Sequence, residues 1–402
     1  MVRPQVNLHS LSISNKLVFC NAPTWRPIYA IVSFIVIEKP NTSRITSFDL
    51  MRGYFLVAIT LNHLHYFPNG LDWLTFRGEL FVSSAEGFFF ISGILLGMVR
   101  GFKMKNSPMR DVVKLLLTRL FQLYLVYVVS TVAFTLVGWS FFMQNPGLKE
   151  GIMSAGTSFW TMAWEAASFQ YLYGWLDYLR LYCMFFIFSP LAIWLLRRGW
   201  WWMVLLISTT VWYLTPELTW PENLFTQPYR WQIIFFTGLV VGYHWQDLRL
   251  WWLRLASRWR SLITSALLTL GFATLLLSVI ITLNHHLTLP LVSDEISRLR
   301  QYIVPWMNKE LLLAPRLIMF MLWFWASFWL FRKLEKPITR LFGWILLPLG
   351  RNSLFVYAIS GIIIFFVKLA VPSGDIIHNL MVTLGTLAAV WLIVYCKKFI
   401  KR

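Results

Sequence analysis

Ten stretches of mostly apolar sequence, each close to the length that crosses a bilayer, dominate this chain: roughly 50–67, 80–101, 115–143, 178–196, 200–215, 230–246, 262–284, 313–331, 350–371 and 377–396. A helix needs about 20 such residues to span the hydrocarbon. Every backbone polar group inside lipid must also find an internal partner, which helices provide within one segment. The pattern therefore predicts an all-α polytopic membrane protein with about ten transmembrane helices. Composition agrees: 13% of the 402 residues are charged and 58% are hydrophobic, whereas a soluble domain carries about 25% charged residues. That excludes a water-soluble globule. It also excludes a nucleic-acid binder, because the basic excess lies within a hydrophobic chain.

The net charge of +19 has a direction. With the N-terminus placed in the cytoplasm, 25 of the 36 Lys and Arg residues fall in cytoplasmic segments and 8 on the opposite side. Arg52, Arg180 and Arg351 sit at or inside helix ends. The positive-inside rule then predicts that both termini are cytoplasmic. Residues 1–45 stand apart from a membrane domain over 46–402. Their apolar stretch, 28–37, is too short to span and lacks a signal-peptide cleavage site. A cytoplasmic or interfacial segment and an upstream choice of start codon both account for it. Cys20, Cys183 and Cys396 are far apart, so neither a disulfide nor a cysteine zinc site is expected, and no metal is assigned.

Ionisable groups within the membrane are costly and mark function. The first stretch holds Asp49, Arg52, Asn62, His63 and His65. Arg52 and His63 are eleven residues apart, about three helical turns, so they share one face about 16 Å apart. Glu86, early in the second stretch, falls at a depth comparable with His63. A carboxylate beside an imidazole fixes its tautomer and stabilises the imidazolium, which suits general-base work. The alternatives are an interfacial anchor for His63 and a structural pair with an arginine for Glu86.

Arg52-x10-His63 on the first helix resembles the hallmark of the acyltransferase 3 superfamily of membrane O-acyltransferases. Phe48-Asp49-Leu50-Met51-Arg52-Gly53 and Asn62-His63 resemble its OpgC branch in particular. Glu86-Gly87-Phe88-Phe89-Phe90-Ile91-Ser92-Gly93 is similar to the second-helix motif, and Asp177-Tyr178-Leu179 with Tyr182 and Pro190 to that of the fourth. Pro228-Tyr229-Arg230-Trp231-Gln232 with Gly238 resembles the Pro-x-x-Trp-Gln segment, and Gly350-Arg351-Asn352-Ser353-Leu354 the Gly-Arg-x-Ser-Leu segment. The matches run in order over about 45–370. Two positions depart from the pattern: Arg119-Leu120-Phe121-Gln122 keeps one arginine of the superfamily's Arg-x-x-Arg, and Ser360 stands near where a ninth-helix histidine is common.

The resemblance implies an enzyme of the bacterial cytoplasmic (inner) membrane. Such an enzyme takes an acyl group, succinyl by preference, from cytoplasmic acyl-CoA and delivers it to a hydroxyl of an extracytoplasmic glycan. His63 is then the expected base, with Glu86 orienting it and Arg52 stabilising anionic parts of the donor. Arg119, Arg351 and Lys114 are the expected contacts to the cofactor's phosphates, with ordinary positive-inside charge as the alternative. The outer segments offer Trp160, Trp164, Tyr171, Tyr173 and Trp175 within 145–175, and His285, His286, Asp294 and Glu295 within 285–312. These aromatics suit either sugar faces or an interfacial belt in the lipid bilayer. A proton-coupled transporter or flippase using Arg52, His63 and Glu86 is the competing reading, and inverted repeats, which would favour it, are not evident.

Overall fold

The computed structural model describes residues 45–141, 152–214, 226–287 and 293–400; the 28–37 stretch, Cys20 and Lys149 lie outside them. The described residues contain helices and no strand. In order these are α1 (Thr46–Leu64), α2 (Ser84–Leu96, continuing through a π turn over Gly97–Phe102), α3 (Met109–Phe141), α4 (Phe159–Ala167), α5 (Asp177–Arg197), α6 (Trp201–Leu214) and α7 (Thr226–Tyr243). They are followed by α8 (Trp245–Arg254), α9 (Ser257–Leu287), α10 (Ser293–Ile303), α11 (Ala314–Lys333), α12 (Glu335–Arg351), α13 (Ser353–Ala370) and α14 (Ile376–Ile400).

Within the described residues each of the ten apolar stretches falls largely on a helix, and seven helices there are long and apolar enough to cross a membrane. These seven are α2 with its π turn, α3, α5 with the turn before it, α9, α11, α13 and α14; α6 is apolar but shorter. The chain is a multi-pass membrane protein. α1 falls outside the seven for a reason visible in its packing: it touches α2, α11, α12 and α13. Its Phe48, Leu50, Met51, Leu56 and Leu61 are buried. A helix surrounded by helices has no lipid-facing stripe to maintain, so it can carry Asp49, Arg52 and His63. Peripheral helices do the opposite, and Phe121 of α3 and Phe272 of α9 face outward, the surface expected against acyl chains.

Backbone proximity sets the centre of the bundle. Gly93 and Gly97 of α2 lie against the carbonyls of Phe235 and Leu239, while Gly238 and Gly242 of α7 lie against those of Phe90 and Ile94. Each helix thus presents a Gly-x-x-x-Gly face to the other, the small-residue pairing that replaces hydrophobic drive between helices in lipid.

Besides the single helical turn at Asp72–Thr75, four helices were not expected from the apolar stretches: α4, α8, α10 and α12. The most consequential is α12, which lies mostly between the apolar stretches 313–331 and 350–371. Pro337, Pro348 and the surrounding charges suggest a loop, yet the segment is amphipathic. Leu341, Phe342 and Trp344 face outward while Gly343, Leu349 and Gly350 are buried. α12 packs closely along the start of α1, with Gly350 on the Asp49 backbone and Gly53 on that of Leu346.

Candidate functional site

α1 carries two polar positions toward its opposite ends, and each meets residues from distant sequence. Near its start, the Arg52 guanidinium donates to the Ser353 hydroxyl at the N-terminus of α13. It also lies 5.9 Å from the centre of the Phe88 ring. Asp49, one turn earlier and buried, forms an ion pair with Arg351 Nε at 3.6 Å. The stretches Asp49–Gly53 and Gly350–Ser353 therefore interlock: backbone contact brings them together, and two arginines cross the join in opposite directions.

Near the other end, His63 is the penultimate residue of α1. Its ring meets Tyr178 of α5 and Tyr357 of α13, with ring centres 5.9 and 6.2 Å away and near edge-on geometry. Those two tyrosines stack on each other, 5.2 Å apart and within 10° of parallel. The Tyr357 hydroxyl donates to the Trp175 carbonyl and lies 3.2 Å from Asp177 Oδ1, which also accepts from the Tyr178 backbone N–H at 2.8 Å. Among the described residues no hydrogen bond occupies the His63 ring, so aromatic walls hold it while its nitrogens stay available. Such edge-to-face contacts fix orientation without consuming a polar group. Positive charge in the neighbourhood of His63 comes from Lys309 and Lys368. Their ammonium groups lie 6.0 Å from the Trp231 ring and 4.8 Å from the Trp175 ring, within cation–π range. Trp175 is itself fixed by its indole N–H, which donates to the Gly361 carbonyl at 3.0 Å.

Glu86 has other partners than the expected one. Its carboxylate is fully buried, and Oε1 accepts from Arg316 Nε at 2.7 Å and from a second nitrogen of the same guanidinium. Oε2 accepts from the Ser83 backbone N–H at 3.1 Å and from its hydroxyl, forming a capping box at the start of α2. Both oxygens are therefore occupied away from His63. The physical cause is burial: a carboxylate beside Phe88, Phe89 and Phe90 needs a paired charge, and Arg316, itself buried, supplies it. Glu86 and Arg316 still act electrostatically on Tyr178, which touches His63.

Arg119 lies toward the other end of the bundle. With Arg100, Thr118, Gln122, Leu96, Leu115, Leu116 and Phe186 it lines a cavity of about 300 Å³, and it donates to Gln122 at 3.2 Å. Lys114 is exposed and does not line this cavity, and Arg351 is held at Asp49 instead. Tyr182 connects the two regions: its hydroxyl donates to Ser92 at 2.6 Å, and both Arg52 and Arg119 act on it electrostatically.

The outer aromatics divide. Trp160 and Trp164 are exposed, whereas Tyr173 is fully buried and Tyr171 bonds to Thr135 and to the Met153 backbone. Tyr178, Tyr357, Lys309 and Lys368 around His63, Arg316 at Glu86 and Arg100 in the cavity were not expected as site residues. Tyr178 and Tyr357 stand in segments already singled out, beside Asp177 and four residues after Ser353. The cations had no local signal.

No curated protein and no solved structure matches the chain. The family model described as OpgC protein matches residues 44–402, which include every residue described above. The chain belongs to the OpgC family.

Proposed function

We propose that this chain is an acyl-CoA-dependent O-acyltransferase of the bacterial inner membrane. It would move an acyl group, succinyl by preference, from the cytoplasmic side to a hydroxyl of an extracytoplasmic glycan. Membership of the OpgC family supports the coarser part of this reading, a membrane acyltransferase that modifies glycans. The observation that carries the rest is the pairing on one central helix. His63 stands among tyrosines with no hydrogen bond on its ring among the described residues, and Arg52 stands about 16 Å away on the side of the Arg119 cavity. In this proposal the chain crosses the membrane about ten times with both termini cytoplasmic.

A charged cofactor does not cross about 30 Å of hydrocarbon. Its phosphates therefore stay at the end where Arg119 and Arg100 line the cavity, guanidinium groups being suited to bidentate phosphate contacts. The acyl thioester reaches inward past Arg52 and Tyr182. His63 takes the proton from the acceptor hydroxyl as its oxygen attacks the thioester carbonyl carbon. The tetrahedral oxyanion forms beside the positive charges of Lys309 and Lys368. It collapses as the carbon–sulfur bond breaks, and the departing thiolate takes the proton from the imidazolium, leaving ester, free thiol and neutral His63. Tyr178 and Tyr357 hold the ring, and the Glu86–Arg316 pair lies within electrostatic reach of Tyr178. Confinement of both substrates supplies proximity and excludes water that would hydrolyse the thioester.

The test is incorporation of label from succinyl-CoA, with acetyl-CoA in parallel, into extracytoplasmic glycan by membranes carrying the wild type or His63→Ala. The wild type is expected to incorporate label, and the variant to lose at least about 10²-fold, the lower range for a general base. Equal incorporation by both would remove His63 from the mechanism.

A further inference from the structure

Outside the site described above, three potential metal ligands converge from two parts of the chain. Glu79 follows the 3-10 turn Phe76–Gly78 in the connection between α1 and α2. His285 and His286 lie in the last turn of α9. His286 Nε2 is 3.1 Å from both oxygens of Glu79, and His285 Nδ1 is 3.4 Å from Oε2. The three ligand atoms lie within 4.8 Å of one another. We propose that Glu79, His285 and His286 form a binding site for a divalent transition-metal ion of the zinc class.

The spacing supports the assignment. Zinc binds imidazole nitrogen and carboxylate oxygen at about 2.0–2.1 Å, so neighbouring ligand atoms of a tetrahedral site stand about 3.3 Å apart. The two nitrogen–oxygen separations already meet that distance, and the two imidazole nitrogens lie within 4.8 Å of each other. His285 coordinates through Nδ1 and His286 through Nε2, leaving the other nitrogen of each ring protonated. Two imidazoles and one carboxylate are borderline ligands suited to zinc and its neighbours rather than to calcium or magnesium, which prefer oxygen. All three side chains are partly exposed, so an ion enters from solvent and keeps water in the fourth position.

The site has a mechanical consequence for the helix that carries His63. The loop ending at Glu79 already rests on the end of α1, where the Thr75 hydroxyl donates to Asn62 at 2.8 Å. The Phe81 backbone N–H donates to Ser278 of α9 at 3.0 Å. A metal at Glu79 joins this loop to α9 a second time and braces the residue next to His63. Neither sequence segment announces it, because the carboxylate and the second imidazole are 207 positions apart.

The test uses full-length protein carrying no oligohistidine tag, purified in detergent and stripped with a chelator. Zinc is titrated by calorimetry, and cobalt(II) by the visible absorption that marks tetrahedral coordination. One equivalent per chain and a rise in unfolding temperature on adding zinc are expected. Glu79→Gln and His286→Ala are expected to weaken binding by about tenfold or more, since even outer partners of metal ligands contribute about that much. His378→Ala, a histidine that meets the Pro372 carbonyl elsewhere, leaves binding unchanged. Absence of stoichiometric binding by the wild type, or binding that survives both Glu79→Gln and His286→Ala, would overturn the proposal and leave a hydrogen-bonded Glu–His latch. These readouts do not depend on acyl transfer, so their failure is distinct from failure of the proposed activity.

Discussion

At the scale of single residues, burial decided which partner each polar group took. From sequence, Glu86 and His63 fall at comparable depth, which makes them a natural pair. However, a carboxylate with no exposed surface must be matched by a full charge, and a half-buried imidazole is a weaker match than a guanidinium offering two N–H groups. Arg316, 230 positions away, makes that match. Replacing Arg316 with Met leaves the buried Glu86 carboxylate with only the Ser83 contacts. Breaking a buried pair from one side costs about 3–5 kcal/mol, so Arg316→Met is expected to lower the thermal unfolding midpoint of detergent-purified protein strongly. Adding Glu86→Gln removes the orphaned charge and keeps the capping box, because glutamine also serves at that position. Most of the lost stability should return in the double variant; equal loss in both would mean that charge neutralisation is not what Arg316 provides. The Arg52–His63 face was legible because helical period links residues eleven apart. The Arg316–Glu86 pair was not, because pairing across 230 residues leaves no periodic trace.

At the scale of elements, apolar length located ten helices but not the close contacts that order them. α12 is the clearest miss. Its prolines and charges mimic a loop, and its helical character appears only as an amphipathic face whose buried side includes Gly350 against α1. The α2–α7 pairing was also open to sequence in principle, since Gly93-x-x-x-Gly97 and Gly238-x-x-x-Gly242 are both spaced for a helix face. Their partnership depends on geometry. A side chain at Gly242 would run into the Ile94 backbone, which cannot rotate away as a side chain can, whereas Gly385 of α14 has nothing within 4 Å. Gly242→Leu should therefore reduce stability by at least the ~1–3 kcal/mol typical of overpacking. Gly385→Leu should be neutral or stabilising, because glycine is disfavoured within helices by about 0.5–1 kcal/mol. Fluorescence-detected size exclusion and unfolding midpoints on both variants check this. Similar behaviour of the two would show that the α2–α7 approach is looser than described.

At the scale of the whole molecule, the charge asymmetry and the order of sites along α1 make one joint prediction about direction. The basic excess predicts which face meets the cytoplasm, and on that reading the Arg119 cavity opens inward while His63 lies toward the outside. If donor and acceptor enter from opposite faces, sidedness of supply must govern activity. Sealed inverted vesicles present the cytoplasmic face to added label, while sealed right-side-out vesicles hide it, because the phosphates prevent the cofactor from crossing. With acceptor glycan enclosed in inverted vesicles and labelled acyl-CoA outside, label should appear on the enclosed glycan. Right-side-out vesicles given both substrates externally should remain unlabelled until a mild detergent opens them. Labelling by sealed right-side-out vesicles would place the donor site on the outer face. Inverted vesicles that label only glycan supplied on the donor's side would eliminate the transmembrane path, even with His63 retained as base. The proposed chemistry at His63 and the proposed passage through the bundle are thus separable, the first tested by substitution and the second by the side from which each substrate is supplied.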